Sequence, residues 1–137
     1  MLKDAMEVLK AAKTFALLGA SAEPGKYGYK VFSTLKDRYC VLPVNPKRSE
    51  IEGTPCFPSY SALPEKPDAA IVALAPAVTE TVVPQLIAQG APILWLPPEC
   101  FTDAAVEACE KAGVRVIYDI CPVAALATLD RLSPGRT

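Results

Sequence analysis

The 137-residue chain contains no histidine. Ser–His and Cys–His catalysis, histidine metal ligation and a phosphohistidine intermediate are therefore excluded for this chain. No apolar run approaches the roughly 18–20 residues that a membrane-spanning helix needs, and the N-terminal segment lacks the apolar stretch of a secretory signal. With a net charge of −1, the chain lacks the excess of basic residues that is typical of a nucleic-acid binder. These absences predict a cytoplasmic protein that binds neither membrane nor nucleic acid.

The five cysteines form no C-x-x-C pair. Their odd number and their spacing disfavour both a zinc site and a disulfide framework, so we expect free thiols and no metal. Cys121 is the best nucleophile candidate because it follows the last predicted strand. A small buried side chain is the simpler interpretation of this cysteine.

Apolar runs alternate with helical patterns along the whole chain, whose length fits one domain over residues 1–137. The predicted strands cover residues 14–18, 39–42, 68–74, 93–96 and 114–118. The predicted helices cover residues 3–12, 27–38, 78–89, 102–113 and 123–132. This alternation predicts an α/β fold, a three-layer Rossmann-like open parallel five-stranded sheet. Right-handed crossovers leave few topologies. Of these we favour the strand order 3-2-1-4-5, with the flavodoxin-like order 2-1-3-4-5 as the alternative.

A glycine-rich turn follows the first predicted strand and reads GASAEPGKYGY over residues 19–29. Ligands of open parallel sheets bind at the carboxyl ends of the strands, where this turn lies. A helix that begins near Tyr27 directs free N–H groups and its positive dipole end at the turn, and Lys26 adds a charge. The turn therefore predicts a phosphate or pyrophosphate site, although it matches neither G-x-G-x-x-G nor G-x-x-x-x-G-K-[ST]. Its candidate binding residues are Gly19, Ser21, Gly25, Lys26, Tyr27 and Gly28.

The segment after the second predicted strand, residues 43–48, contains no acidic residue. An NAD site uses an acidic residue there to accept a hydrogen bond from the ribose. Lys47 and Arg48 instead favour a phosphate on the ribose. Both the 3′-phosphate of coenzyme A and the 2′-phosphate of NADP satisfy this interpretation.

Three motifs together resemble a known family. They are GAS-x-x-PGKYGYKV at residues 19–31, VLPVNP at residues 41–46 and E-I-x-G at residues 50–53. In these motifs the chain is similar to the small stand-alone CoA-binding proteins of bacteria and archaea. Pro58-Ser59, Trp95 and Asp119-x-Cys121 match as well. The resemblance implies a Rossmann-like CoA-binding domain, similar to the nucleotide-binding domain of the succinyl-CoA synthetase α subunit.

The same resemblance implies roles for individual residues. Residues 21–26 would hold the pyrophosphate. Asn45, Pro46, Lys47 and Arg48 would meet the adenosine and its 3′-phosphate, while Pro76 and Trp95 would border the pantetheine or adenine path. The chain departs from the family pattern at residues 96–100, which read LPPEC, and at Ile120, where the family has arginine.

Three functions follow from these observations, and the first is preferred. The first is binding of coenzyme A or an acyl-CoA as a small-molecule nucleotide ligand, without catalysis by the chain itself or with the help of an unknown protein partner. The second is an NADP-binding redox or sensor protein. The third is an interaction protein that has kept the fold and lost the ligand. A monomer and a homodimer both fit the sequence.

Overall fold

The computed structural model describes residues 1–132, which form five α-helices, one 3-10 helix (Tyr60–Ala62) and seven strands. The helices are α1 (Leu2–Ala11), α2 (Tyr27–Leu35), α3 (Pro76–Ala88), α4 (Asp103–Lys111) and α5 (Pro122–Arg131). The strands are β1 (Thr14–Leu18), β2 (Cys40–Val44), β3 (Glu50–Ile51), β4 (Thr54–Pro55), β5 (Ala69–Val72), β6 (Ile93–Leu96) and β7 (Arg115–Tyr118). Within this part of the chain no helix is long and apolar enough to span a membrane.

Five of the strands form one parallel sheet in the order β2-β1-β5-β6-β7. Helices cover both faces of such a sheet, so its strands are buried almost continuously. All four residues of β5, for example, are buried. The predicted fold class, a Rossmann-like α/β protein with an open parallel five-stranded sheet, is confirmed.

A single parallel bridge joins Val44 to Phe57 on the outer side of β2. How the strand order is numbered depends on whether this bridge is counted as a position of the sheet. Phe57 donates its amide to Pro43 O, and Asn45 donates its amide to Phe57 O, each at 2.9 Å. With this bridge counted as the third position, the six positions read 3-2-1-4-5-6, and the first five of them follow the predicted 3-2-1-4-5 pattern. The third position is therefore at Phe57 and not in residues 68–74, because β5 lies between β1 and β6. The five full strands alone read 2-1-3-4-5.

Alternate residues of the strands supply two cores, one on each face of the sheet. On one face, Phe15 and Leu17 of β1 pack with Trp95 under α1, α2 and α5. On the other face, Ala16 and Leu18 belong to the core that α3 and α4 cover. This two-residue alternation follows from the pleat of the strands. The carboxyl ends of β1, β2 and β5 thus meet at one edge of a rigid sheet.

Several element bounds differ from the predicted ones. α2 ends at Leu35, before the predicted end at residue 38, and β5 is shorter than the predicted strand. α3 begins at Pro76 because proline is well tolerated in the first turn of a helix, and it continues through Pro84. The antiparallel β3–β4 pair lies in a segment for which the sequence predicts only loop.

Candidate functional site

A cleft of about 620 Å³ opens at the carboxyl edge of the sheet, between the turn after β1 and the end of β2. Most of the predicted binding residues line it. They are Gly19, Ser21, Lys26, Tyr27, Gly28, Asn45, Lys47 and Arg48; Ala20, Glu23 and Ala73 complete the lining. The structure thus brings together two segments that lie about 20 residues apart in the sequence.

Two glycines allow α2 to begin directly against the end of β1. Gly19 has a φ of +86°, and a Cβ at this position would overlap Ala73 O. A Cβ on Gly28 would overlap Gly19 O. Only glycine fits these two positions, because one needs left-handed backbone and both need space for a neighbouring carbonyl.

The N-terminus of α2 lies in the cleft without a side-chain cap. The amides of Tyr29 and Lys30 donate to Lys26 O. The amides of Tyr27 and Gly28 donate to no acceptor among residues 1–132. Two free donors, the positive end of the helix dipole and the neighbouring Lys26 ammonium make this the natural place for an anion. Glu23 is the one acidic side chain of the lining.

Ser21 shapes the turn that precedes α2. Its Oγ accepts the amide of Glu23 at 3.0 Å, and the amide of Lys26 donates to Glu23 O at 2.9 Å. The hydroxyl proton of Ser21 remains available to a ligand. Gly25 lies exposed in the same turn but outside the cleft lining, with open space where a Cβ would stand.

Asn45 joins the two sides of the cleft. Its Nδ2 donates to Ala20 O at 2.9 Å, and its Oδ1 accepts the amide of Lys47 at 2.9 Å. The side chain of Asn45 therefore has a positioning role, because it fixes the turn that carries the exposed Lys47 and Arg48 beside the end of β1. The two cations lie at the rim of the cleft.

Two further hollows adjoin the cleft and share lining residues with it. The first, here named the apolar groove, has a volume of about 290 Å³ and shares Gly19 with the cleft. It lies between β2, the segment after Phe57 and α3, and its lining includes Val44, Pro46, Tyr60, Leu74, Val78 and Val82. The second, here named the thiol pocket, has a volume of about 410 Å³ and shares Tyr27 and Ala73 with the cleft. Leu74, Ala75, Pro98, Glu99, Cys100 and Cys121 complete its lining.

Tyr27 connects the cleft with the thiol pocket. Its hydroxyl donates to Cys121 Sγ at 3.0 Å. Burial, followed by the hydrogen bond to Cys121, raises the pKa of Tyr27 far above its ordinary value, so the phenol stays a proton donor. Burial, followed by the nearby charge of Glu99, also raises the pKa of the Cys100 thiol. Cys100 therefore stays protonated at neutral pH.

Two residues that the family resemblance assigns to the ligand path line none of the three hollows. Trp95 is 0% exposed, and its Nε1 donates to Ile120 O at 2.7 Å. The alternation of β6 directs this side chain into the core beneath α5, and Trp95 lines none of the three hollows. Pro76 is exposed at the first residue of α3, outside the lining of the three hollows. The sequence also missed Ala73 and Leu74, whose only signal is that they follow β5.

The parallel sheet and the cleft at the start of α2 define a Rossmann-like protein whose hollow lies where such folds bind their ligands. A family model described as "CoA binding domain" matches residues 13–127. The chain belongs to this CoA-binding domain family.

Known proteins agree with this assignment. The chain is 30% identical to an ADP-forming acetate–CoA ligase I of Archaeoglobus fulgidus, over 96% of this chain but only 22% of that enzyme. It therefore spans about a fifth of the length of that relative. A hypothetical protein from Pyrococcus horikoshii has a similar structure, with a TM-score of 0.87, 30% identity and coverage of 94% of this chain and 92% of that one. A small protein of Thermus thermophilus is also similar, with a TM-score of 0.86, 28% identity and coverage of 94% and 98%.

Proposed function

We propose that the chain binds coenzyme A or an acyl-CoA through the turn after β1 and performs no catalysis of its own. One observation carries this proposal. The free amides of Tyr27 and Gly28 open into a cleft that also holds Lys26, with Lys47 and Arg48 at its rim. A pyrophosphate matches two free donors at a helix N-terminus, and a ribose phosphate matches two adjacent cations. Membership of the CoA-binding domain family supports the choice of ligand.

The three hollows match the three chemical parts of the ligand. The pyrophosphate would lie at the start of α2, and the 3′-phosphate at Lys47 and Arg48. The adenine would enter the apolar groove past Pro46, since a flat heterocycle suits an apolar slot of this size. The pantetheine arm would then run from the cleft past Tyr27 towards the thiol pocket.

A chain without histidine cannot pass a phosphoryl group through an imidazole. Its relative in Archaeoglobus fulgidus is an ADP-forming acetate–CoA ligase of which this chain matches only a part. We therefore propose that the chain is a binding module, and that any reaction of its ligand uses groups from another protein.

Calorimetric titration with CoA, NADP and NAD tests the proposal directly. Binding heat with CoA alone is the expected result. A preference for NADP would favour a redox or sensor protein, because the same two cations suit a 2′-phosphate. No heat with any of the three would contradict the proposal and leave an interaction protein that retains the fold.

The double substitution of Lys47→Ala and Arg48→Ala tests the 3′-phosphate site. It should weaken the binding of CoA by about tenfold, or about 1.4 kcal/mol, and should change the binding of dephospho-CoA much less. Lys3→Ala with Lys10→Ala on α1 removes the same charge away from the cleft and is the matched control. An equal loss of affinity for both ligands would contradict this assignment.

A further inference from the structure

The thiol pocket adjoins the proposed pyrophosphate site but has no part in binding a phosphate. Its lining combines two cysteines with Tyr27 and Ala73, which also line the cleft. Tyr27 is the first residue of α2, so its amide faces the proposed pyrophosphate position while its hydroxyl holds Cys121 Sγ at 3.0 Å. A single residue thus connects the phosphate end of the site to a cysteine sulfur.

We propose that Cys121 is a thiol–disulfide exchange site for the sulfur end of the ligand, an inference that rests on the proposed function. Coenzyme A ends in a thiol, and a flexible pantetheine arm separates that thiol from the pyrophosphate. An arm that runs past Tyr27 brings its sulfur into the pocket that contains Cys121. The ligand class for this activity is a disulfide of coenzyme A.

The exchange needs no further oxidant, because the incoming disulfide is itself the oxidant. The Cys121 sulfur, as thiolate, attacks the coenzyme A sulfur of the disulfide. The bond between Cys121 Sγ and that sulfur forms as the original S–S bond breaks. The second thiol leaves as a thiolate and takes up the proton that Cys121 has released. The product is a mixed disulfide between the protein and coenzyme A.

The surroundings of the other cysteines favour Cys121 as the attacking group. Cys100, in the same pocket, is 8% exposed, and burial raises the pKa of its thiol. Cys109 and Cys56 are buried elsewhere in the fold. Cys40 is exposed, but it begins β2 and therefore lies at the opposite end of that strand from the cleft. Cys121 is half-buried and combines partial access with a position beside the cleft.

The test uses protein carrying Cys40→Ser, so that the exposed thiol far from the cleft is absent. This protein is mixed with the symmetric disulfide of coenzyme A or with pantethine, which has the same reactive arm but no nucleotide. Intact mass follows the adduct, which adds one coenzyme A, or with pantethine one pantetheine, less two hydrogen atoms, and peptide mapping locates it. We expect the adduct on Cys121 and a rate at least about tenfold higher with the coenzyme A disulfide, because binding orients the reacting sulfur.

Two variants sharpen the result. Adding Cys121→Ser should abolish the fast adduct while the hydroxyl of serine can still accept from Tyr27, and circular dichroism verifies the fold. Adding Cys109→Ala, at a core position outside the three hollows, should leave the fast adduct on Cys121, so the test does not depend on one variant folding. Equal rates with both disulfides, or a fast adduct that persists without Cys121, would overturn the proposal.

Calorimetry with reduced coenzyme A separates this inference from the proposed function. Binding heat without a fast adduct overturns the exchange site alone. Absence of binding heat together with equal rates for both disulfides overturns both. Binding heat with a fast adduct on Cys121 supports both.

Discussion

At the scale of single residues, the contact between Gly28 and Gly19 O sets the position of α2. A methyl group at residue 28 would push the helix away from the end of β1. Gly28→Ala should lower the free energy of unfolding by about 1–3 kcal/mol, as overpacking does. Urea denaturation measures this change, and calorimetry should show weaker binding of CoA because the free amides move.

Gly25→Ala is the matched control for this substitution. Gly25 lies in the same turn, and no atom lies within 4 Å of the position that its Cβ would take. The free energy of unfolding of the Gly25→Ala variant should therefore differ from that of the unsubstituted protein by no more than about 0.5 kcal/mol. A large loss at residue 25, or none at residue 28, would contradict the close packing of α2 on β1.

Single residues also mark the limit of sequence-based prediction at this site. The glycine turn and the two rim cations are recognisable because each is a local pattern at the end of a strand. The contact between Tyr27 and Cys121 joins residues 94 positions apart, and no spacing rule brings them together. The family resemblance assigns Trp95 to the ligand path, whereas the side chain lies in the core, because a continuous apolar strand does not reveal which of its residues face which core.

At the scale of elements, the helices differ in how their N-termini are satisfied. Thr102 caps α4, where its side chain accepts the amide of Ala105, whereas Lys26, the residue before α2, provides no side-chain cap. Lys26→Ser should supply such a cap and make the free protein more stable than Lys26→Ala by about 0.5–1 kcal/mol. Urea denaturation measures this difference.

The same pair of variants separates the amides from the ammonium in ligand binding. Both lose the charge of Lys26, but the serine hydroxyl competes with the ligand for the free amides of α2. Calorimetry should therefore find weaker CoA binding for Lys26→Ser than for Lys26→Ala. Equal affinity of the two variants would show that these amides do not hold the ligand.

Asp68 joins two strands at the opposite edge of the sheet, where β5 begins. Its Oδ2 accepts the amides of Lys13 and Thr14 at 2.8 and 3.0 Å, and these bonds hold the pKa of Asp68 below its ordinary value. The resulting stabilisation is present above the ordinary pKa of about 4 and disappears as the pH falls through the lower pKa of the folded state. In Asp68→Asn the free energy of unfolding should depend less on pH in this acidic range.

Urea denaturation at a series of acidic pH values measures this dependence. Asp37→Asn is the matched control, because the Asp37 carboxylate accepts no hydrogen bond within the described residues. A pH dependence of Asp68→Asn equal to that of the unsubstituted protein would contradict the role of these two bonds.

The helices and strands explain why the fold class could be predicted from the sequence more readily than the order of the strands. Each long apolar run became a strand of the sheet, since burial on both faces leaves a strong signal. Phe57 alone pairs with the outer side of β2, and a single residue forms no apolar run that a sequence pattern could show. The hydrophobic pattern therefore could not show which segment takes the third position in the sheet. The prediction assigned this position to residues 68–74, the segment that forms β5.

At the scale of the whole molecule, ligand binding should be visible as increased stability. A ligand that binds only the folded chain at 100 times its dissociation constant stabilises it by about 2.7 kcal/mol. CoA should therefore raise the melting temperature in calorimetry or circular dichroism, and dephospho-CoA at the same concentration should raise it less. The variant with Lys47→Ala and Arg48→Ala should lose the difference between the two ligands. An unchanged melting temperature with saturating CoA would contradict the proposed function.

The buried indole of Trp95 gives this chain an optical reporter of its own. Trp95 is the only tryptophan, so all indole fluorescence comes from one place in the core. Its N–H is held by Ile120, the residue before Cys121. Emission at short wavelength should mark the folded state, and a shift to longer wavelength should mark unfolding. A chemical change at the Cys121 sulfur should alter the intensity of the Trp95 emission before it shifts the wavelength, and no dye has to be attached to the protein.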